Sequence, residues 1–123
     1  MWKCSSIQEI SYITAKEFIG RQKDLILKPT YRFFALLENG EIKSVLGISE
    51  NLSIKIHCNY TKPQDRGNGY FSRLLQEVIK QYKGKLITAD CLEASKNIYI
   101  KNGFELMASK QYKNFTIYKV KKV

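Results

Sequence analysis

Thr61-Lys62-Pro63-Gln64-Asp65-Arg66-Gly67-Asn68-Gly69-Tyr70 leads straight into Phe71, Leu74, Leu75, Val78, Ile79 and Tyr82. The second group recurs at i, i+3, i+4, i+7, i+8 and i+11, the apolar stripe of an amphipathic helix, and Gly84 is placed to end it. Just upstream, Ser53-Ile54-Lys55-Ile56-His57-Cys58-Asn59-Tyr60 alternates apolar and polar residues. That predicts a strand with Ile54, Ile56 and Cys58 on one face and Lys55, His57 and Asn59 on the other. The glycine-rich stretch is thus a strand-to-helix turn opening on a helix N-terminus. The first N–H groups of a helix lack internal acceptors and carry the positive end of its dipole, so they hold anionic oxygens, and glycine lets an anion come close. Arg66 adds a permanent charge. Glycine also serves such turns simply by making the bend, so the loop alone leaves both readings open.

Working outward, Trp2 to Gln8 reads as a first strand, and Thr14-Ala15-Lys16-Glu17 spells a capping box that should start a helix, with Ile13 and Phe18 as a hydrophobic staple. Gly20 and the Asp24 region keep that helix short, and Pro29 closes the segment. Tyr31 to Glu38 and Glu41 to Ser49 flank Asn39-Gly40, the strongest two-residue hairpin signal, because both central residues must accept positive φ. Beyond the long helix, Lys85 to Asp90 reads as a short strand and Ala94 to Lys101 as a short helix stopped at Asn102-Gly103. Phe104 to Lys110 and Asn114 to Val120 read as a final strand pair. Strand and helix alternate around one mixed sheet, so the class is α/β or α+β.

The 123 residues, 44% of them hydrophobic and 26% charged, suit one domain spanning 1–123. A chain of this size buries roughly two thirds of its unfolded surface and needs no metal or disulfide to hold a core. Cys4, Cys58 and Cys91 are odd in number and widely spaced, encoding neither a disulfide framework nor a zinc site, so no metal is expected and the natural compartment is the reducing cytoplasm. The longest apolar run, Phe33 to Leu37, falls far short of the roughly 20 residues of a membrane span, and the chain opens on no signal peptide. A net charge of +10 concentrates anions such as phosphates, nucleic acid or acidic proteins.

The turn is neither G-x-x-x-x-G-K-[ST] nor G-x-G-x-x-G. Pro63 to Tyr70 instead resembles the acetyl-coenzyme A loop of the GCN5-related N-acetyltransferase (GNAT) superfamily, Arg/Gln-x-x-Gly-x-Gly/Ala, with Arg66 and Gly69 in the first two signature places. Tyr99-Ile100-Lys101-Asn102-Gly103-Phe104 resembles the Tyr-x-x-x-Gly-Phe segment late in the same superfamily. Element order fits as well, so the resemblance covers nearly the whole chain. Phe71 departs from the signature where Gly or Ala is usual, and Leu92 stands where many members have Asn. Phe71 keeps its backbone N–H, and its place on the apolar stripe sends its side chain to the core.

The resemblance implies a mixed, mostly antiparallel sheet flanked by helices, and direct transfer of acetyl from acetyl-coenzyme A to an amine without a covalent enzyme intermediate. It places the pyrophosphate on Arg66, Gly67, Asn68, Gly69, Tyr70 and Phe71, and the pantetheine arm beside the strand ending at Thr61. Tyr99 matches the tyrosine that protonates the departing thiolate. His57, the only histidine, lies on the polar face of the entering strand, where an imidazole suits a general base, although a lone strand histidine is more often structural or simply solvated. Cys58 and Cys91 have no partnering histidine in the local pattern and read as core or wall residues. Positive charge favours an amine acceptor that is acidic or nucleic-acid-linked over a polycation. The rival reading is a noncatalytic nucleic-acid-binding module that uses the +10 charge and the tyrosines and phenylalanines for base stacking.

Overall fold

The computed structural model describes residues 5–20 and 27–123. Trp2 to Cys4 of the expected first strand, and Asp24, lie outside the described residues. The remainder forms a seven-stranded sheet of order β1-β2-β3-β4-β5-β7-β6: β1 Ser5–Ile10, β2 Arg32–Glu38, β3 Glu41–Glu50, β4 Ile54–Thr61, β5 Ile87–Cys91, β6 Glu105–Gln111 and β7 Thr116–Lys122. Among the described residues three α-helices accompany it, α1 Tyr12–Ile19, α2 Tyr70–Gln81 and α3 Glu93–Lys101. Every neighbouring pair is antiparallel except β4 and β5. The class is therefore the mixed, mostly antiparallel α/β arrangement that the sequence implied.

Asn39 (φ 53°) and Gly40 (φ 79°) both take positive φ in the β2–β3 turn, as a two-residue hairpin of that twist requires. Helix α2 buries Phe71, Leu74, Leu75 and Val78 of the stripe read from the sequence, with Ile79 partly buried, Tyr82 buried just past the helix end and Tyr70 added at its start. These pack with α3 on one face of the sheet, against Phe34, Leu36, Leu46, Ile48, Ile54, Ile56, Ile87, Ala89 and Val120. On the other face, α1 brings Ala15 and Ile19 onto Phe33, Ala35, Val45 and Cys58.

Two local expectations are corrected. Helix α1 starts three residues before the predicted capping box: Ser11 is the N-cap, its Oγ accepting from the Thr14 N–H at 3.1 Å. That register puts Ala15 and Ile19 inward and leaves Ile13 67% exposed, so no staple forms. In β4 the alternation breaks. Gly47 pairs with Cys58 while the next residue of β3, Ile48, pairs with Ile56, so His57 is an extra residue, a β-bulge. Beyond it the strand's faces exchange, and Cys58 joins the α1 side while Asn59 turns to the α2 side, opposite to the predicted assignment.

Candidate active site

The parallel ladder between β4 and β5 ends early. Ile54↔Ile87, Lys55↔Thr88 and Ile56↔Ala89 are paired, after which β4 continues to Thr61 and β5 to Cys91 without further pairing to each other. The two strands part at the bulge, and from His57 to Thr61 β4 has no ladder with β5. The turn from Thr61 to α2 stands at the far end of this opening.

Within the turn, Pro63–Asp65 forms a single 3-10 turn, and Gly67 and Gly69 take φ of 85° and 76°. A side chain is strained at either position, and a Cβ built on either glycine meets no atom within 4 Å, so the space above this backbone is open. Gly69 is the N-cap of α2, and no side chain caps the helix. The first-turn N–H groups therefore face that space with no side-chain acceptor. The loop is braced from behind: Arg66 Nε donates to the Thr61 carbonyl at 2.9 Å, Asn68 Nδ2 donates to the Asp65 carbonyl at 2.9 Å, and Asp65 meets Lys43 at 3.6 Å. Tyr70 is buried and its hydroxyl donates to Glu38 at 3.2 Å.

The two sequence motifs meet in space. Phe71 is buried and touches the Tyr99 ring edge-on, with centroids 5.7 Å apart, while Phe104 does the same from another side at 5.1 Å. Asn102 Nδ2 reaches Ser72 Oγ at 3.2 Å. Tyr99 is wholly buried, and its hydroxyl accepts a hydrogen bond from Asn59 Nδ2 at 3.2 Å, keeping its own proton to donate. Burial holds its pKa well above the ordinary phenol range, against the opposing pull of Asn59. Cys58 and Cys91 act electrostatically on Tyr99, and burial pushes each thiol up to about 11. Both stay protonated and poorly nucleophilic at neutral pH.

His57 lies on the other face. It stacks on Tyr31 with centroids 4.1 Å apart and shares a 2.7 Å hydrogen bond with Ser49 Oγ. Burial, helped by the charges of Lys55 and Lys28, lowers its pKa, so the ring is neutral at pH 7. The fold thus gathers Thr61, the 66–71 turn and Tyr99 on one side of the opening and sets His57 at its neck, facing the α1 side. Asn59 is the site residue that sequence reasoning missed. The signal that could have found it is Gly47, whose Cβ position lies 2.8 Å from both Cys58 Sγ and Phe33 Cε1, the close approach that accompanies the bulge.

No helix among the described residues is long and apolar enough to cross a membrane. The chain matches the acetyltransferase (GNAT) domain family over residues 7–118. No curated protein matches it in sequence. Among solved structures it resembles the ribosomal-protein-S18-alanine N-acetyltransferase of Escherichia coli, with TM-score 0.80 and 13% identity over 96% of this chain and 92% of that one. It also resembles the IAA acetyltransferase of Bacillus cereus, with TM-score 0.76 and 12% identity over 96% and 98%. A third likeness is to yncA of Salmonella typhimurium, solved with its cofactor acetyl-coenzyme A, with TM-score 0.73 and 14% identity over 96% and 92%. With the strand opening, the uncapped glycine turn and the two motifs joined beside them, the chain belongs to the GNAT family of acetyltransferases, whose co-substrate is acetyl-coenzyme A.

Proposed function

We propose that residues 1–123 act as one cytoplasmic acyltransferase domain that moves acetyl from acetyl-coenzyme A directly to an amine of an acceptor. The observation that carries this is the parting of β4 and β5 after Ile56↔Ala89, opening toward an α2 N-terminus with no side-chain cap and open space over Gly67 and Gly69. Those residues fit the co-substrate: a diphosphate needs N–H donors and room, and both are present. Bound there, acetyl-coenzyme A supplies a thioester that is electrophilic at its carbonyl carbon.

The chain's own residues divide the remaining work. The backbone N–H groups of Gly67, Asn68, Gly69, Tyr70 and Phe71 hold the diphosphate; the Arg66 N–H donates to the Pro63 carbonyl at 3.3 Å, so Arg66 contributes its charge beside them. The stretch of β4 beyond its last pair with β5 orients the pantetheine arm as far as Thr61, whose carbonyl is held by Arg66 Nε. Tyr99 protonates the departing sulfur. Its hydroxyl accepts from Asn59 and so keeps its own proton to donate, and burial holds that proton on the phenol until a strongly basic thiolate forms beside it. His57, kept neutral, accepts the proton of the incoming ammonium from the α1 side, directly or through a water.

The acceptor is an amine on an acidic or nucleic-acid-linked molecule. Lys28 and Lys55 both act on His57, and the whole chain carries +10, which disfavours a polycation. The Escherichia coli neighbour acetylates an alanine of a ribosomal protein, which gives a first class of acceptor to try. The noncatalytic rival finds little support, because Phe33, Phe34, Tyr70, Phe71, Tyr82, Tyr99 and Phe104 are core residues and cannot stack on bases. Calorimetry with acetyl-coenzyme A, followed by a thiol-release screen of peptide N-termini and nucleic-acid-linked amines, tests the reading. Absence of acetyl-coenzyme A binding by the unmodified protein refutes it.

A further inference from the structure

We propose that β6 is the docking edge for a second copy of this chain, the two β6 strands pairing antiparallel about a two-fold axis to join the sheets. Strand β6 ends the sheet on one side, and all seven of its residues are exposed. Its outer row of backbone N–H and C=O groups is a template for another strand unless something blunts it. Glu105-Leu106-Met107-Ala108-Ser109-Lys110-Gln111 contains no proline; of the usual blunting devices it has one lysine and one irregularity at Met107, and both take part in the pairing register. Leu106 and Met107 are 51% and 56% exposed, and the hairpin end beyond them shows the stacked pair Tyr112 and Phe115, at 42% and 51%. The opposite edge, β1, differs: its Glu9 is tied to Arg32 at 2.8 Å, and Ile7 and Ile10 pack against the two cores.

The occupant follows from charge and register. An antiparallel self-pair about a two-fold axis sets each residue against one whose number makes a constant sum, and partners must share a face. Along β7, Tyr118 and Val120 face the α3 core, so Ile117, Lys119 and Lys121 face away. Glu105 pairs with Lys121 and Lys110 with Ile117, which puts Glu105 and Lys110 together on the outer face. Leu106 and Ser109 pair with Val120 and Tyr118 and share the core face. The register that sets Glu105 of one copy against Lys110 of the other, Leu106 against Ser109 and Met107 against Ala108 therefore matches faces at the first two steps. With Met107 opposite Ala108 the axis passes between these two residues, at the β6–β7 irregularity between Leu106 and Ala108. The opposite charges at the two ends of β6 then form two ion pairs, a self-complementary pattern that a shift of one residue destroys. At physiological salt the Debye length of about 8 Å screens the bulk of the +10 charge while these contacts persist.

The test is sedimentation equilibrium of the full chain, with Glu105→Lys and Lys110→Glu as variants. The unmodified protein is expected at twice its 14.3 kDa mass. Each single reversal turns two attractive contacts into two repulsive ones and weakens association about ten- to thirtyfold. An equimolar mixture of the two variants restores both pairs and re-forms a dimer. Circular dichroism confirms that each variant is folded, and hydrogen exchange reads the β6 amides, protected in the dimer and fast in each variant alone. A monomeric unmodified protein, a dimer indifferent to both reversals, or a mixture that stays monomeric overturns the proposal. Acetyl-coenzyme A affinity is measured alongside, and its loss or retention bears only on the transferase reading.

Discussion

Replacing Gly69 by alanine adds one carbon at φ 76°, where an L side chain costs about 1 kcal/mol. No atom lies within 4 Å of that carbon, so backbone strain is the whole cost to the ligand-free protein, a fall in Tm of about 5 °C. Gly84 offers a matched control: it has φ 92°, its Cβ site is equally open, and it follows the opposite end of the same helix. Gly84→Ala should lose the same stability. The two variants should separate on titration with acetyl-coenzyme A, because in the proposed cradle the new methyl group of Gly69→Ala would stand where a diphosphate approaches the α2 amides. Loss of one charge-assisted hydrogen bond, about 2 kcal/mol, weakens binding about thirtyfold, while Gly84→Ala keeps its affinity. Calorimetry together with thermal unfolding reads both quantities. Equal affinity in the two variants would refute the assignment of this turn as the diphosphate cradle.

Tyr99→Phe should lower turnover about a hundredfold with coenzyme affinity nearly intact, measured by thiol release and calorimetry; unchanged turnover removes Tyr99 from the reaction. The pH–rate profile should hold its activity down to the ordinary imidazole value of 6.5 and fall only below it, because the folded protein disfavours the charged ring, and His57→Gln should abolish that acid limb. The same lowered pKa means the unfolded chain takes up the proton first. The stability His57 contributes is therefore complete above 6.5 and is lost as pH falls toward the folded value, a trend that urea titrations at several pH values will show in the unmodified protein and not in His57→Gln. Gly47→Ala should destabilise by about 1–3 kcal/mol, since its Cβ would stand 2.8 Å from Cys58 Sγ and Phe33 Cε1; a chemical-denaturation midpoint equal to that of the unmodified protein contradicts the packing described at the bulge.

Where local chemistry and global packing agree, the sequence is readable. The α2 stripe and the Asn39-Gly40 turn are of this kind, because an apolar period of 3.6 fits a helix and not a strand, and an Asn-Gly pair suits a turn that needs two successive positive φ angles. The cap of α1 is not, because Ser11 and Thr14 are both hydroxyl residues one turn apart, and what chooses between them is the fit of Ala15 and Ile19 against Phe33 across the sheet. The faces of β4 escape the sequence for the same reason: strict alternation is the expectation, and the extra residue at His57 is registered only by pairing with β3. The turn's glycines are legible as a turn, whereas the open space over them and the missing cap on α2 belong to tertiary structure. Asn59 becomes visible as a partner of Tyr99 only once the two residues, 40 positions apart, stand side by side.

The bulge at His57 lets β4 carry one residue more than its ladder with β3 uses. One strand addresses two chemically separate sides of the protein because a single surplus residue resets its phase: an imidazole toward one side, then an amide toward the other. Deleting that residue would subtract the ring and make the ladder regular, while Cys58 opposite Gly47 and Asn59 opposite Leu46 would keep their present faces. The phase of β4 beyond the bulge is held by its neighbours in β3, and the surplus position is where the strand carries a side chain the ladder itself does not require.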